Sequence, residues 1–222
     1  MLITILGLPF SGKYQLAEYI MKAFQYLGFD KVELVREYSS LQDPKRFIVK
    51  SPSEIMEMVE KEDELLYYND ETFERNHICL PKDSIRDDVT QILCLDPISY
   101  KKFADSDRDC GDDITIAIEQ SWANIASEKV SRNTIQTKDY KTVPLDDDLL
   151  FKYYAYEEEL NDMTSVMYPD MLVRMGTLGI VDAYALRSSY GSNARRSLYT
   201  KIDAVLSKYG DYLSGGEISE IF

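Results

Sequence analysis

Gly7-Leu-Pro-Phe-Ser-Gly-Lys13 matches the phosphate-loop pattern G-x-x-x-x-G-K-[ST] at every fixed position but the last, where Tyr14 stands. No other stretch constrains the fold as tightly. Such a loop surrounds an anion only if a strand delivers the chain to it and a helix carries the chain away. Both flanks comply. Met1 to Leu6 is a short apolar, β-branched run that reads as a buried strand. From Gln15 to Leu27, apolar residues recur at Leu16, Ile20, Ala23, Phe24 and Leu27, a helical stripe closed by Gly28. In that arrangement the loop amides and the helix N-terminus point at phosphate, and the helix dipole favours its charge. Lys13 reaches the β- and γ-phosphates, and Gly7, Pro9, Ser11, Gly12, Lys13 and Tyr14 form the cradle.

Tyr14 is the informative departure. The residue after the lysine normally puts a hydroxyl on Mg²⁺. A phenol sits a ring further out and cannot do so from the same backbone position. Either Mg²⁺ is held by other groups and by the nucleotide, or the loop holds phosphate without efficient transfer. Ser11 offers a hydroxyl from a different place.

The rest of the chain narrows the partners. Its 222 residues fit one α/β domain with an appendage. The net charge of −14, from 25 Lys and Arg against 39 Asp and Glu, argues against nucleic acid and anionic membranes. It leaves room for a nucleotide, because a local set of cations overrules a distant field. Cys79, Cys94 and Cys110 are widely spaced and His77 is the single histidine, so neither a zinc site nor a disulfide framework is expected. No apolar stretch spans a bilayer. The N-terminal run lacks a basic region before it, so it reads as a strand and not a signal peptide. A cytoplasmic protein is the expectation.

Further along, Lys31 to Val35 reads as a strand and Arg36 to Phe47 as polar loop. Ser51-Pro52-Ser53-Glu54 is a helix start with a cap, Pro and Glu in order. Leu65 to Tyr68 reads as a strand, Asn69 to Asn76 as a turn, and Pro81 to Ile85 as another helix start. Val89 to Leu95 is a buried strand ending in Asp96 and Pro97. An acid there lies beside the phosphate loop of a parallel sheet and can organise Mg²⁺; Asp before Pro is equally an ordinary helix cap. Asp113 to Ile118 and Met171 to Val173 read as strands. Trp122 to Val130 and Leu149 to Met163 read as helices, and 131–148 as a polar lid carrying Arg132 and Lys138. Asp146 to Asp148 reads as a solvated run. Ser192 to Gly210 has an apolar face of Leu198, Ile202, Val205, Leu206 and Tyr209. That face is expected to bury on the small lobe; a homodimer or a protein partner would cover it otherwise. The many tyrosines, Tyr67 and Tyr68 among them, read as packing residues before base-stacking ones.

In order and spacing these segments resemble guanylate kinases, among the P-loop nucleoside monophosphate kinases, over 1–175. Phe47 to Met58, Glu64 to Tyr68, Asn76 to Ile85, Leu93 to Asp96 and Tyr168 to Val173 are similar to the family's successive motifs. The resemblance implies a parallel sheet with helices on both faces, the first strand central, and a small monophosphate-binding lobe over about 36–88. Residues 176–222 have no counterpart and read as a C-terminal helical extension. The resemblance further implies ATP and Mg²⁺ as cofactors, Lys13, Arg36 and Arg132 as the catalytic cations, and Arg36, Arg46, Tyr67 and Asp96 around the acceptor.

The departures fall on ligand positions. Tyr67 stands where the family has its base-reading Glu, and Ile78, Cys79 and Leu80 stand where it has a phosphate-binding trio. A phenol is a poor substitute for a carboxylate facing guanine N–H groups. The expected activity is phosphoryl transfer from ATP to a nucleoside or deoxynucleoside monophosphate other than GMP. A degenerate kinase fold serving as a nucleotide- or protein-binding module is the second reading. An unrelated P-loop hydrolase is the third, and lacks a recognisable water-positioning residue.

Overall fold

The structure, a computed structural model, describes residues 1–9, 11–61, 64–70, 76–106, 108, 112–119, 134–136, 142–144, 154–155, 158–162, 169–176, 179–185 and 191–207. In chain order the elements are β1 (Leu2–Leu6), α1 (Lys13–Tyr26), β2 (Val32–Leu34), β3 (Tyr38–Ser39), β4 (Ile48–Val49), α2 (Pro52–Val59), β5 (Leu65–Asn69), β6 (Ile78–Pro81), a 3₁₀ turn (Lys82–Ser84), β7 (Thr90–Leu95), α3 (Pro97–Ala104), β8 (Ile114–Glu119), β9 (Thr134–Gln136), β10 (Thr142–Pro144), β11 (Met171–Gly176), β12 (Gly179–Ala185) and α4 (Asn193–Ser207).

The main sheet runs β12-β11-β8-β1-β7-β2. Strands β11, β8, β1, β7 and β2 are parallel, and β12 closes one edge antiparallel to β11. The first strand therefore lies inside the sheet, between β7 and β8, as its unbroken apolar run requires. Alternation then sorts the core into two layers. Ile3 and Ile5 of β1, with Ile92 and Cys94 of β7, face α1 and α4 through Leu16, Ile20, Phe24, Leu198, Ile202 and Val205. Leu2, Leu93 and Leu95 point the other way, to Val35, Phe47, Tyr67, Ile78, Leu80 and Phe103. That second layer is shared with α3 and with a small four-stranded sheet ordered β4-β3-β6-β5.

A local expectation is met by its physics. Ser51 and Glu54 form a reciprocal capping box at α2, with Pro52 beginning the helix. The stripe of α4 departs from its expectation: it is buried not on the small lobe but in the main core against α1, where the Tyr19 hydroxyl donates to the Val205 carbonyl at 3.1 Å, while Tyr209 and Gly210 lie outside the described residues.

Other expectations need correction. The polar stretch 36–47 is not all loop, since Tyr38–Ser39 pairs with both β4 and β6. The helix start at Pro81 yields only the single 3₁₀ turn. The segment after 176 is not purely helical: β12 returns along β11 and α4 joins the main core. Within 131–148, the described residues form the antiparallel pair β9–β10. The expected helix at Trp122 to Val130, residues Arg132, Lys138 and Asp146 to Asp148, and most of the turn after Asn69 lie outside the described residues. The helix expected from Leu149 to Met163 is described only at 154–155 and 158–162, which are helical.

Candidate phosphate-binding site

β1 ends at Leu6, and the loop that follows is fastened to the neighbouring strand by Gly7 N donating to Leu95 O at 3.1 Å. Gly7 has no room for a side chain. A Cβ there would lie 2.6 Å from Ser11 Oγ, 3.2 Å from Ile118 Cβ and 3.3 Å from Lys13 Cγ. Gly12 turns the chain into α1 at φ 87° and ψ 18°, a left-handed conformation that favours glycine. Glycine at this N-cap leaves α1 without a side-chain cap, and its first turn holds no acidic residue. The contrast with α2 and α3 is direct, for Ser51 and Asp96 cap those helices. The first N–H groups of α1 have no intrahelical acceptors, so its N-terminus presents uncompensated donors at the end of a dipole.

Two side chains complete the cradle. Lys13 is buried, and its Nζ donates to the carbonyls of Gly7 and Leu8, both at 2.8 Å. The ammonium is thus folded over the loop it belongs to. Burial lowers its pKa, against the opposing charge of Asp96. Ser11 is 2% exposed, and its Oγ is buried with no hydrogen-bond partner. An orphaned hydroxyl inside a loop of this shape is a defect in a closed structure and an asset in a binding one.

Among the described residues, the carboxylates that act on Lys13 each accept hydrogen bonds. Asp96, at the end of β7, caps α3: its Oδ1 accepts from Ser99 N and its Oδ2 from Ser99 Oγ, each at 2.9 Å. Asn69 of β5 donates in turn to Ser99 Oγ at 3.0 Å. Glu37, on the residue before β3, is 4% exposed and accepts the hydroxyl proton of Tyr67. Desolvation raises its pKa to about 8, with the Tyr67 hydrogen bond pulling the other way. Asp43 accepts from Arg46 Nε at 2.5 Å and from the amides of Lys45 and Arg46.

The structure therefore separates the residues named from sequence. It brings Gly7, Pro9, Ser11, Gly12 and Lys13 into one loop, with Asp96 and Arg46 close enough to act electrostatically on Lys13. Arg36 is exposed, and its guanidinium donates to Pro44 O at 3.1 Å. Tyr67 is a core residue, packed edge-on against Phe103. Tyr14 is half-buried, its ring edge-on to Phe47 at 6.5 Å and under the Arg46 guanidinium at 5.9 Å. Arg132 lies outside the described residues. Glu37 is the residue that sequence reasoning missed. Its only signal is the alternation of exposed Arg36 with buried Glu37 on the approach to β3.

Mg²⁺ prefers carboxylate, hydroxyl and water oxygens in octahedral array. The position after Lys13 supplies an aromatic ring, and the nearby carboxylates are engaged as described. Among the described residues no three His, Cys, Asp or Glu side chains converge on a metal position. This donor set does not fit a protein-held Mg²⁺. Among the described residues, too, no helix is long and apolar enough to cross a membrane.

No family model matches the sequence. No curated protein matches it either. Among solved structures it is similar to the guanylate kinase from Anaplasma phagocytophilum, at 12% identity and a TM-score of 0.48, covering 93% of this chain and 84% of that one.

Proposed function

We propose that the protein is a nucleotide-binding P-loop phosphotransferase. Its loop Gly7–Lys13 takes the phosphates of ATP, and its small sheet faces a nucleoside or deoxynucleoside monophosphate other than GMP. The observation that carries the reading is the loop itself. An uncapped helix start, a lysine folded over loop carbonyls and an orphaned buried hydroxyl occur together in this one loop. The acceptor reading rests on the lobe. Tyr67, Ile78, Cys79 and Leu80 are all buried there, so a lining built from these positions is largely apolar, and Glu37, Ser39, Asn69 and Asn76 are among the lobe's buried polar groups. A lining of that kind disfavours guanine, whose N–H edge needs paired acceptors.

One observation favours a second reading. The Tyr14 ring is packed against Phe47 and Arg46, so the position that normally serves transfer serves instead to join loop and lobe. That packing supports a nucleotide- or protein-binding module with no transfer activity. Incubating the protein with ATP and each common nucleoside and deoxynucleoside monophosphate separates the two. Product from an acceptor other than GMP supports the kinase. No product from any acceptor, with ATP still bound, supports the module. GMP as the best acceptor contradicts the specificity argument.

A further inference from the structure

A nucleotide's phosphates bring several negative charges, and a protein that binds them must supply positive ones. The usual means is a lysine and a divalent cation held by the residue after it. Here that residue is Tyr14, and a different cation stands over it. The Arg46 guanidinium lies 5.9 Å from the Tyr14 ring centroid and 5.1 Å from that of Phe47. Its Nε is anchored on Asp43. Asp43 is itself fixed by two backbone amides, so the guanidinium is seated on a rigid turn.

The field of Arg46 reaches the loop. It opposes the charge on Lys13 and favours the charged form of Glu37. Lys13 feels the opposing charge of Asp96 more strongly than the repulsion of Arg46, and Arg46 is paired with Asp43; an anion between the two cations would relieve the repulsion that remains. Glu37 does little to weaken it at neutral pH, because burial keeps its carboxyl largely protonated up to about pH 8. Arginine suits the place: it stays charged, stacks on aromatic rings and pairs with phosphate through a planar fork.

We propose that the loop binds nucleotide phosphates without a protein-held metal ion, Arg46 seated on Tyr14 and Phe47 supplying the positive charge beside Lys13. The proposal rests on the nucleotide-binding reading and goes beyond it by naming how the charge is met.

Titrating ATP into the wild-type chain by calorimetry, once with Mg²⁺ and once with EDTA, tests it. The two dissociation constants are expected within about tenfold of each other. Arg46→Met is expected to weaken binding in EDTA by about tenfold or more, with partial recovery in Arg46→Lys. Thermal unfolding of both variants checks that losing the Asp43 contact has not unfolded the turn; the wild-type comparison stands regardless. Binding that requires Mg²⁺ overturns the proposal and leaves the nucleotide-binding reading intact. Equal affinity in wild type and Arg46→Met removes Arg46 from it. No binding in either buffer overturns both.

Discussion

The hydroxyl of Tyr67 donates to the carboxyl of Glu37, and both side chains are buried where the small sheet meets the phosphate loop. Tyr67 comes from β5 and Glu37 from the approach to β3, so one hydrogen bond crosses the lobe. Burial raises the Tyr67 pKa too, so the phenol stays a donor. Asp96 adds a like charge that raises the Glu37 pKa further, while Lys13 and Arg46 lower it. Glu37 is thus the titratable group that couples the lobe to the loop.

Stability should fall with pH on account of Glu37. In the folded chain it holds its proton to about pH 8, against 4.5 for the ordinary side chain. Between those values the folded chain binds one more proton at this site than the unfolded chain. The contribution is therefore fully present below 4.5 and lost as pH rises to about 8. Glu37→Gln stays neutral throughout. Its stability relative to wild type should rise with pH, by up to about 1.4 kcal/mol per unit within that window. Urea unfolding of both proteins across the window measures it, and parallel curves would mean that Glu37 is ionised when folded.

Asp96 should prove to be a cap. Asn caps a helix about as well as Asp, so Asp96→Asn should cost no more than about 1 kcal/mol. ATP affinity should stay within about tenfold of wild type. Asp96→Ala, which loses both bonds from Ser99, should cost more. A collapse of ATP binding in Asp96→Asn would show that the ligand or its counter-ion needs the carboxylate charge.

Local signals made much of this fold legible. The loop, the stripe of α1, the capping box at Ser51 and the Asp96–Pro97 helix start are each set by residues a few positions apart. The apolar face of α4 was equally plain, but its partner was not: it was expected on the small lobe and lies against α1 and the main sheet. What stayed hidden depends on distant partners. Nothing near Glu37 announces that Tyr67 will meet it, and two-residue strands such as β3 and β4 carry too little alternation to read. The strand β12 had a signal in Ile180-Val181, but its place beside β11 is set by pairing. Asp96 was readable as cap and as metal ligand; the cap is observed in the two bonds from Ser99, which depend on where Ser99 falls.

The segment beyond 176 should be inseparable from the domain. Arg195 of α4 donates to Asp170 Oδ1 at 2.7 Å and to Asp113 O at 3.1 Å, and Asp170 Oδ2 accepts from Thr115 N at 2.9 Å. The pair is buried, with side chains 11% and 6% exposed. Arg195→Met leaves the Asp170 carboxylate without its counter-charge and should cost about 3–5 kcal/mol. Denaturant unfolding should show one cooperative transition at lower midpoint. A separate early transition for the C-terminal segment would mean that it is an independent appendage.

Gly7→Ala should damage the loop more than its surroundings. The added methyl meets Ser11 Oγ, Ile118 and Lys13 at once. A stability loss of about 1–3 kcal/mol is expected from overpacking, with a larger proportional loss of ATP binding. Full binding in this variant would mean that the loop geometry is not what holds the nucleotide.

The central claim is that Lys13 and its loop hold phosphate, and the most direct measurement is the affinity of ATP for wild type against Lys13→Ala. Removing the ammonium deletes a charge-assisted contact worth about 1.5–3 kcal/mol, so the variant should bind roughly ten- to hundredfold more weakly. Equal affinity in the two proteins, or no ATP binding in either, would contradict the account.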